Sequence, residues 1–381
     1  MKQYLYRLIL DMRIISQIVL LFASSFVFSQ KQIHIELKAP SFENDSLFLV
    51  FPTASKSVTS LYSMRLNGTD KNVRSFGNSK GAAIRVLPQN TISGTVQCPM
   101  PVMMMAPPQD GQKNFQYSRV FFIENGELKM EVSDKDLTLI LPPGAIINND
   151  YKWLKEYTYQ ADKKLQPFEK NNPEDVKSKE KLLQTYIKKN PESYPAFWEL
   201  VDDFSKYGFH KNFLSALPLF SKKLKASSCF KDFEKILSIE NSTGAGGNFP
   251  EINFETESPI TKATFSDHKL TLIDYWSTTC KPCIEGLPEL VKLYGKYKDK
   301  GMNFISVADE KTKHRMDLAA RIFRENNVSW KNYFDTSKEF SKKLNAAGYP
   351  LFILVDGNGK IVSREVDGLE TIEYVIEKHL N

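Results

Sequence analysis

Hydrophobic patterning changes character along the chain. From Gln32 to about Asn149, apolar and polar residues alternate in short runs. Ile33-His34-Ile35-Glu36-Leu37 and Leu128-Lys129-Met130-Glu131-Val132 put every second side chain on one face, the period of a half-buried strand. Asn67-Gly68 and Asn125-Gly126 add turn signals. The pattern predicts an antiparallel β-sandwich over 30–149. Over 150–240 the period becomes helical, with Leu182, Leu183, Tyr186 and Ile187 on one stripe. Pro191 and Pro195 end that helix and open another, holding Phe197, Trp198, Leu200 and Val201. Four or five helices are expected, a helical connector whose lysines alternate with Glu and Asp as on a solvated face. The Ser/Gly-rich stretch 241–247 reads as a flexible linker.

The remaining residues, 248–381, mix strand and helix signals. Leu270–Trp276, Met302–Ala308 and Pro350–Val355 are apolar runs of strand length. Lys360–Val366 follows the last of them across the turn Asp356-Gly357-Asn358-Gly359. Helical stretches run to about Lys298, over Asp317–Asn326 and over Thr371–His379, a mixed α/β organisation.

The N-terminus has a different layout. Lys2, Arg7 and Arg13 precede the apolar run Ile14–Phe28, which ends in small residues. That is the arrangement of an export signal over 1–29, too short for a spanning helix. An uncleaved membrane anchor is the alternative. The chain is therefore expected in the periplasm or cell envelope. Hydrophobic residues at 41% and charged residues at 25% exclude wholesale disorder. A net charge of +6 built from 51 bases and 45 acids, dispersed along the chain, argues against nucleic acid as a partner.

Four cysteines are too few for a disulfide scaffold, but two lie three positions apart. Cys280-Lys281-Pro282-Cys283 begins a helix directly after a strand, where unpaired N–H groups and the helix dipole favour a thiolate. Both sulfurs fall at one helix end, within bridging distance. The expected reaction is thiol–disulfide exchange, with Cys280 as nucleophile and Cys283 resolving the mixed disulfide. Asp274 lies inside the preceding apolar strand. It is either a buried carboxyl able to take and return the Cys283 proton, or a strand-end acid facing solvent. Pro350, after Gly348-Tyr349, opens a strand; if cis, it exposes the Tyr349 backbone to an extended peptide. No second C-x-x-C or His pair supports zinc, since His268 and His314 stand alone. Ile284 excludes haem attachment, and a plain structural disulfide remains a further alternative. Neither a metal nor a cofactor is expected.

Asp274-Tyr275-Trp276, Cys280-Lys281-Pro282-Cys283 and Pro288 resemble the active-site segment of thioredoxins. Asn248-Phe249-Pro250-Glu251-Ile252 is similar to the opening strand of the TlpA/ResA-like branch, and Ser306-Val307-Ala308-Asp309 to the insertion that marks it. The resemblance covers roughly 248–381 and implies a thioredoxin-like fold and a thiol–disulfide oxidoreductase. It implies Cys280 as nucleophile, Cys283 as resolving thiol and Asp274 as proton carrier. Pro350 would be a cis proline in the substrate loop, beside Tyr349, and Trp276 a ring packed by the site. Two departures stand out: Thr279 replaces the usual Trp, and Gly286 occupies the place of a second acid.

The upstream region, through Ile92-Ser93-Gly94-Thr95-Val96 and Phe121-Phe122-Ile123-Glu124-Asn125-Gly126, more weakly resembles the β-rich domain and connector of Bacteroidetes envelope proteins. Partners implied are a protein disulfide substrate and an upstream membrane electron donor. The alternative is an envelope interaction protein whose thioredoxin module is structural or redox-regulated. Met103, Met104 and Met105 read as core and edge methionines of a strand. Cys98 and Cys229 read by default as two buried free thiols, with a bridge between sandwich and helices as the alternative.

Overall fold

A computed structural model describes residues 31–380, apart from positions 44, 53–55, 69–72, 76–81, 88–89, 109–112, 142–144, 166, 169–172 and 367–368. The export signal predicted over 1–29 lies outside the described residues. The N-terminal strands are β1 (Lys31–Lys38), β2 (Ser46–Val50), β3 (Met64–Gly68), β4 (Val73–Ser75), β5 (Ala82–Arg85) and β6 (Asn90–Val96). They continue with β7 (Met100–Ala106), β8 (Gln116–Tyr117), β9 (Phe121–Ile123), β10 (Gly126–Val132) and β11 (Leu139–Ile140). One sheet has the order β11-β10-β1-β6-β3; the other runs β4-β5-β2-β7-β8, with β9 also on β7. Alternation has the predicted outcome in β1, where Ile33, Ile35 and Leu37 are buried while His34 and Glu36 are exposed.

The expectation of a purely antiparallel arrangement is corrected. β1 pairs antiparallel with β6 but parallel with β10, Ile35 standing opposite both Ile92 and Leu128. The cause lies at Asn125-Gly126, which joins β9 of one sheet to β10 of the other rather than closing a hairpin. A hairpin forces antiparallel pairing, whereas a crossing between sheets does not. Gly126, at φ 112°, takes the left-handed backbone this crossing uses. Asn67-Gly68 is not a turn either; it ends β3, paired with Ser93 and Ile92 of β6. Met104 is buried in β7 with Met103 and Met105 half-exposed, the expected core-and-edge pattern.

Six helices follow: α1 (Ile146–Ala161), α2 (Pro173–Lys189), α3 (Tyr194–Tyr207), α4 (Asn212–Ala216), α5 (Lys222–Lys225) and α6 (Ser228–Thr243). Ser193 caps α3 by accepting from Ala196 N–H, and Pro195 sits in the first turn, where a missing N–H costs nothing. The apolar stripe of α3 packs on the sheets, so that strands and helices share one apolar core. Trp198 is fully buried, lies 4.6 Å from the Tyr62 ring, and donates its indole N–H to Pro99 O at 2.6 Å.

Next to that contact the two single cysteines correct their default assignment. Cys98 and Cys229 are buried and joined as a disulfide, Cα to Cα 6.4 Å, across 131 residues of sequence. The connection between β6 and β7 and helix α6 are brought together only by packing, so the pairing has no local signature. Lys179 also departs from the solvated-face reading. Its buried ammonium pairs with Glu199 and, at 2.6 Å, with Asp203. Desolvation is offset there by two carboxylates on the facing helix α3.

The C-terminal unit holds β12 (Leu270–Trp276), α7 (Lys281–Tyr297), β13 (Met302–Ala308), α8 (Lys313–Glu325), β14 (Lys331–Phe334), α9 (Glu339–Lys343), β15 (Leu351–Asp356), β16 (Ile361–Val366) and α10 (Leu369–Leu380). The sheet order is β14-β13-β12-β15-β16, parallel on the β13 side of β12 and antiparallel on the β15 side. Separate apolar clusters cover its two faces.

The stretch 241–247, expected as a flexible linker, is instead bonded in place. Helix α6 continues to Thr243, Gly246 N–H donates to Ile361 O at 2.8 Å, and Ile361 N–H donates to Gly247 O at 2.8 Å. Its glycines allow the backbone to lie directly on β16 rather than to swing. Gly247 has no room for a side chain, since a Cβ there would stand 2.1 Å from Ser242 O.

Candidate active site

The central strand β12 is buried along its whole length. Leu270, Leu272 and Trp276 belong to the apolar cluster on one face, whereas Ile273 and Tyr275 belong to the other. Strand alternation therefore places Asp274 on the face of Leu272 and Trp276, which is also the face whose cluster contains Cys280 and Cys283. This answers the question left open by the sequence, because Asp274 points inward.

Cys280 is the N-cap of α7, its sulfur accepting from Cys283 N–H at 3.2 Å, with Pro282 in the first turn. The two cysteines form a disulfide with Cα atoms 5.3 Å apart. Cys280 and Cys283 are both buried, at 8% and 5% exposure. Lys281 is highly exposed and its ammonium is 3.5 Å from Glu285, which limits its influence on the thiols through solvent.

Asp274 is 4% exposed, and burial pushes its carboxyl up to about 7 against the opposing effect of a hydrogen bond from Ser306. Ser306 Oγ donates to Asp274 Oδ2 at 3.0 Å and accepts from Trp330 Nε1 at 2.9 Å. A carboxyl with this environment can hold or release a proton near neutral pH.

The loop before Cys280 is held by an acid that sequence reasoning did not single out. Glu310 is buried, and its Oε1 accepts from Thr278 N–H at 2.7 Å, Thr278 Oγ1 at 2.6 Å and Ser277 Oγ at 3.0 Å. Arg315 adds a hydrogen bond to Thr278 Oγ1 at 3.2 Å. The signal available was the strand–helix–strand order, which makes β12 and β13 parallel; Trp276 then pairs with Ala308, and both chains leave at the same sheet end. Residues just after β13 must then lie beside those just after β12.

Trp276 is not on a binding surface. Its ring is fully buried, stacked 5.0 Å from Phe323, and its indole N–H is used by Asn332 Oδ1 at 3.0 Å. The ring packs beneath the site, with both its face and its donor occupied. Tyr349 and Pro350 lie together in a loop leading into β15, and the peptide bond between them is cis. Tyr349 is half-buried, packs against the cluster of Cys280 and Cys283, and donates its hydroxyl to Asp309 Oδ2. Asp309 also pairs with Lys338. The structure thus gathers Cys280, Cys283, Asp274, Trp276 and Tyr349 about one apolar cluster, with Pro350 following Tyr349.

Acidic side chains grouped closely enough to suggest a cation, Glu199, Asp202 and Asp203, are engaged instead by Lys179 and Lys206. They lie on α3, in the helical region.

A strand, a dithiol helix start and a cis-proline loop on one sheet end define a thioredoxin-type site, and comparison with known proteins agrees. Residues 244–378 match the Redoxin family. Thiol-disulfide oxidoreductase ResA of Bacillus thuringiensis subsp. konkukian (strain 97-27) is 30% identical over 110 residues, covering 29% of this chain and 61% of the relative. ResA of Geobacillus kaustophilus (strain HTA426) is 29% identical over 112 residues, covering 29% and 62%. The match thus spans about three fifths of these relatives. Solved structures with a similar chain include the thioredoxin domain of a thiol-disulfide oxidoreductase from Bacteroides vulgatus. It is 26% identical, covers 36% of this chain and 99% of that one, and has a TM-score of 0.32. A thiol:disulfide interchange protein from Bacteroides sp. is 28% identical, covering 37% and 92%, with a TM-score of 0.32. The C-terminal unit is a TlpA/ResA-like domain of the thioredoxin family.

Proposed function

We propose that this chain is an extracytoplasmic thiol–disulfide oxidoreductase that reduces disulfides of other proteins. The observation that carries the reading is the Cys280–Cys283 pair at the start of α7, on the same sheet face as the buried carboxyl of Asp274. In the reduced protein the Cys280 thiolate attacks one sulfur of the substrate disulfide. A Cys280–substrate bond forms, and the other substrate sulfur leaves as a thiolate that takes up a proton. Cys283 then gives its proton to Asp274, acting in its carboxylate form, and attacks Cys280 Sγ. The second substrate sulfur leaves as a thiolate, which is protonated in turn, and two electrons have passed from the protein dithiol to the substrate. An upstream membrane dithiol donor would return the electrons. Tyr349 and Pro350 are read as the substrate loop, presenting backbone to an extended segment.

An oxidising compartment is supported by the buried Cys98–Cys229 disulfide, a kind of bond that is rare in reducing cytosol. Among the described residues no helix is long and apolar enough to cross a membrane. The decisive measurement uses Cys283→Ala. With a disulfide-bonded protein substrate this variant should accumulate a mixed disulfide through Cys280, visible as a reducible adduct of the summed mass. A correctly folded variant that traps nothing, beside a wild type that reduces nothing, sinks the reading.

A further inference from the structure

Where the helical region meets the thioredoxin-like unit there is a cleft of about 730 Å³, within the range of ligand sites. Phe204, Ser205 and Phe209 line it from the helical side. Ala347, Gly348 and Tyr349 line it from the loop that precedes Pro350, and Leu351 of β15 lines the same side. The active-site loop and the helical region thus wall one cleft.

The two walls are held in fixed relation. Arg364 of β16 is largely buried and stands 2.9 Å from Glu240 of α6; it also donates to the carbonyls of Leu344 and Asn345. Asn345 Nδ2 donates in turn to Glu240 Oε1 at 2.8 Å. Glu240, Asn345 and Arg364 themselves line the cleft, and Leu344 and Asn345 lie just upstream of Gly348-Tyr349-Pro350. The charge of the cleft is informative as well. Arg364 is compensated by Glu240, whereas Lys211 is an exposed ammonium on the helical side.

We propose that this cleft receives an extended segment of the substrate polypeptide flanking the disulfide that Cys280 attacks, making the helical region a specificity element. The inference rests on the oxidoreductase reading above and names the substrate chemistry. Continuity carries it: Tyr349 packs against the cluster holding Cys280 and Cys283 and also lines the cleft. A chain lying along the substrate loop therefore runs into the cleft. Ala347 and Gly348 belong to no helix or strand and offer peptide groups for strand-like pairing. Phe204, Phe209 and Leu351 select an apolar or aromatic side chain. Lys211 selects an acidic residue beside it. The preferred substrate is thus a disulfide within a few residues of an aromatic and an acidic residue, not a small thiol compound.

The test uses reduced full-length protein in single-turnover assays with two probes. One is dithiobis(nitrobenzoate), which carries no polypeptide flank. The other is a disulfide-closed peptide carrying Phe and Asp on one flank. Ser205→Trp fills the cleft from the helical side, and Lys211→Glu reverses its exposed charge, so both changes leave the sequence of the thioredoxin-like unit intact. Each should slow peptide reduction about tenfold while the nitrobenzoate rate holds within about twofold. The charge reversal should be rescued by a peptide with Lys in place of Asp. Because Lys211 is exposed, its variant gives a readout even if the tryptophan disturbs packing. Unchanged peptide rates in both variants, or a peptide without Phe and Asp that reacts as fast, overturn the inference. A wild type that reduces neither probe sinks the oxidoreductase reading instead.

Discussion

Ser306 Oγ donates to Asp274 Oδ2 at 3.0 Å while accepting from Trp330 Nε1 at 2.9 Å. The chain of donors favours the carboxylate, yet burial among apolar neighbours prevails and pushes Asp274 up to about 7. Because the native value lies above the unfolded one, native protein binds the extra proton between about pH 4 and 7. Its stabilising contribution is complete below about pH 4 and is lost as pH rises through 7. Asp274→Asn should therefore match the wild type near pH 4. At pH 8 it should be more stable by up to about 4 kcal/mol. Urea midpoints at the two pH values check this. The same variant should slow resolution of the mixed disulfide and lose its inflection near neutral pH.

Lys179 is the cation between Glu199 and Asp203, in a place where burial raises both carboxyls, Asp203 to about 8. Lys179→Met leaves two buried acids without their partner. A loss of about 3–5 kcal/mol is expected, and it should be larger at pH 8 than at pH 5, where the acids can be protonated. Replacing Glu199 by Gln and Asp203 by Asn in the same chain should recover most of that loss. A single-site loss that the triple variant does not relieve would point to packing rather than charge.

Arg364 and Glu240 join the β16 edge to the end of α6. Arg364→Leu takes the cation away from the half-buried Glu240 carboxylate, leaving it the Asn345 amide, and removes the donors to the carbonyls of Leu344 and Asn345. The cost should be about 3 kcal/mol. Arg364→Lys should not rescue it, since an ammonium cannot reproduce the planar fork. Denaturation followed separately through the two regions should show their transitions moving apart in the leucine variant. Superimposed transitions would mean that the glycine segment alone couples them.

Cys98 and Cys229 close a loop of 131 residues between the strands and the last helix of the upstream region. Cys98→Ala with Cys229→Ala should lower stability by about 2–5 kcal/mol, the upper figure being the chain-entropy value for such a loop. Mild dithiothreitol should open Cys280–Cys283 first, since Cys98 and Cys229 are buried deeper. Mass spectrometry after alkylation reads the order, and simultaneous opening would contradict it.

The chemistry was legible because it depends on neighbours in sequence. A strand run, a two-cysteine helix start and a Gly-x-Pro loop are local patterns, and local backbone geometry follows from them. The alternation of β1 and the helical stripe of α3 were legible for the same reason. What escaped was contact between distant segments. Glu310 reaches Thr278 only because β12 and β13 run parallel, and β14 and α9 are too short to announce themselves. Asn125-Gly126 is legible as a turn, but whether it stays within a sheet or crosses between sheets depends on packing.

The opening pattern of apolar and polar positions determined where strands give way to helices, and where the reactive cysteines sit relative to both. Periodicity and helix-end electrostatics act over a few residues, so the chain itself carries that information. Only the tertiary structure decided that Asp274 faces the cysteines, that Trp276 lies beneath the site, that Cys98 meets Cys229, and that stretch 241–247 is bonded rather than loose. Each of these depends on which face of an element meets which partner across many tens of residues, a choice made by burial of the whole core.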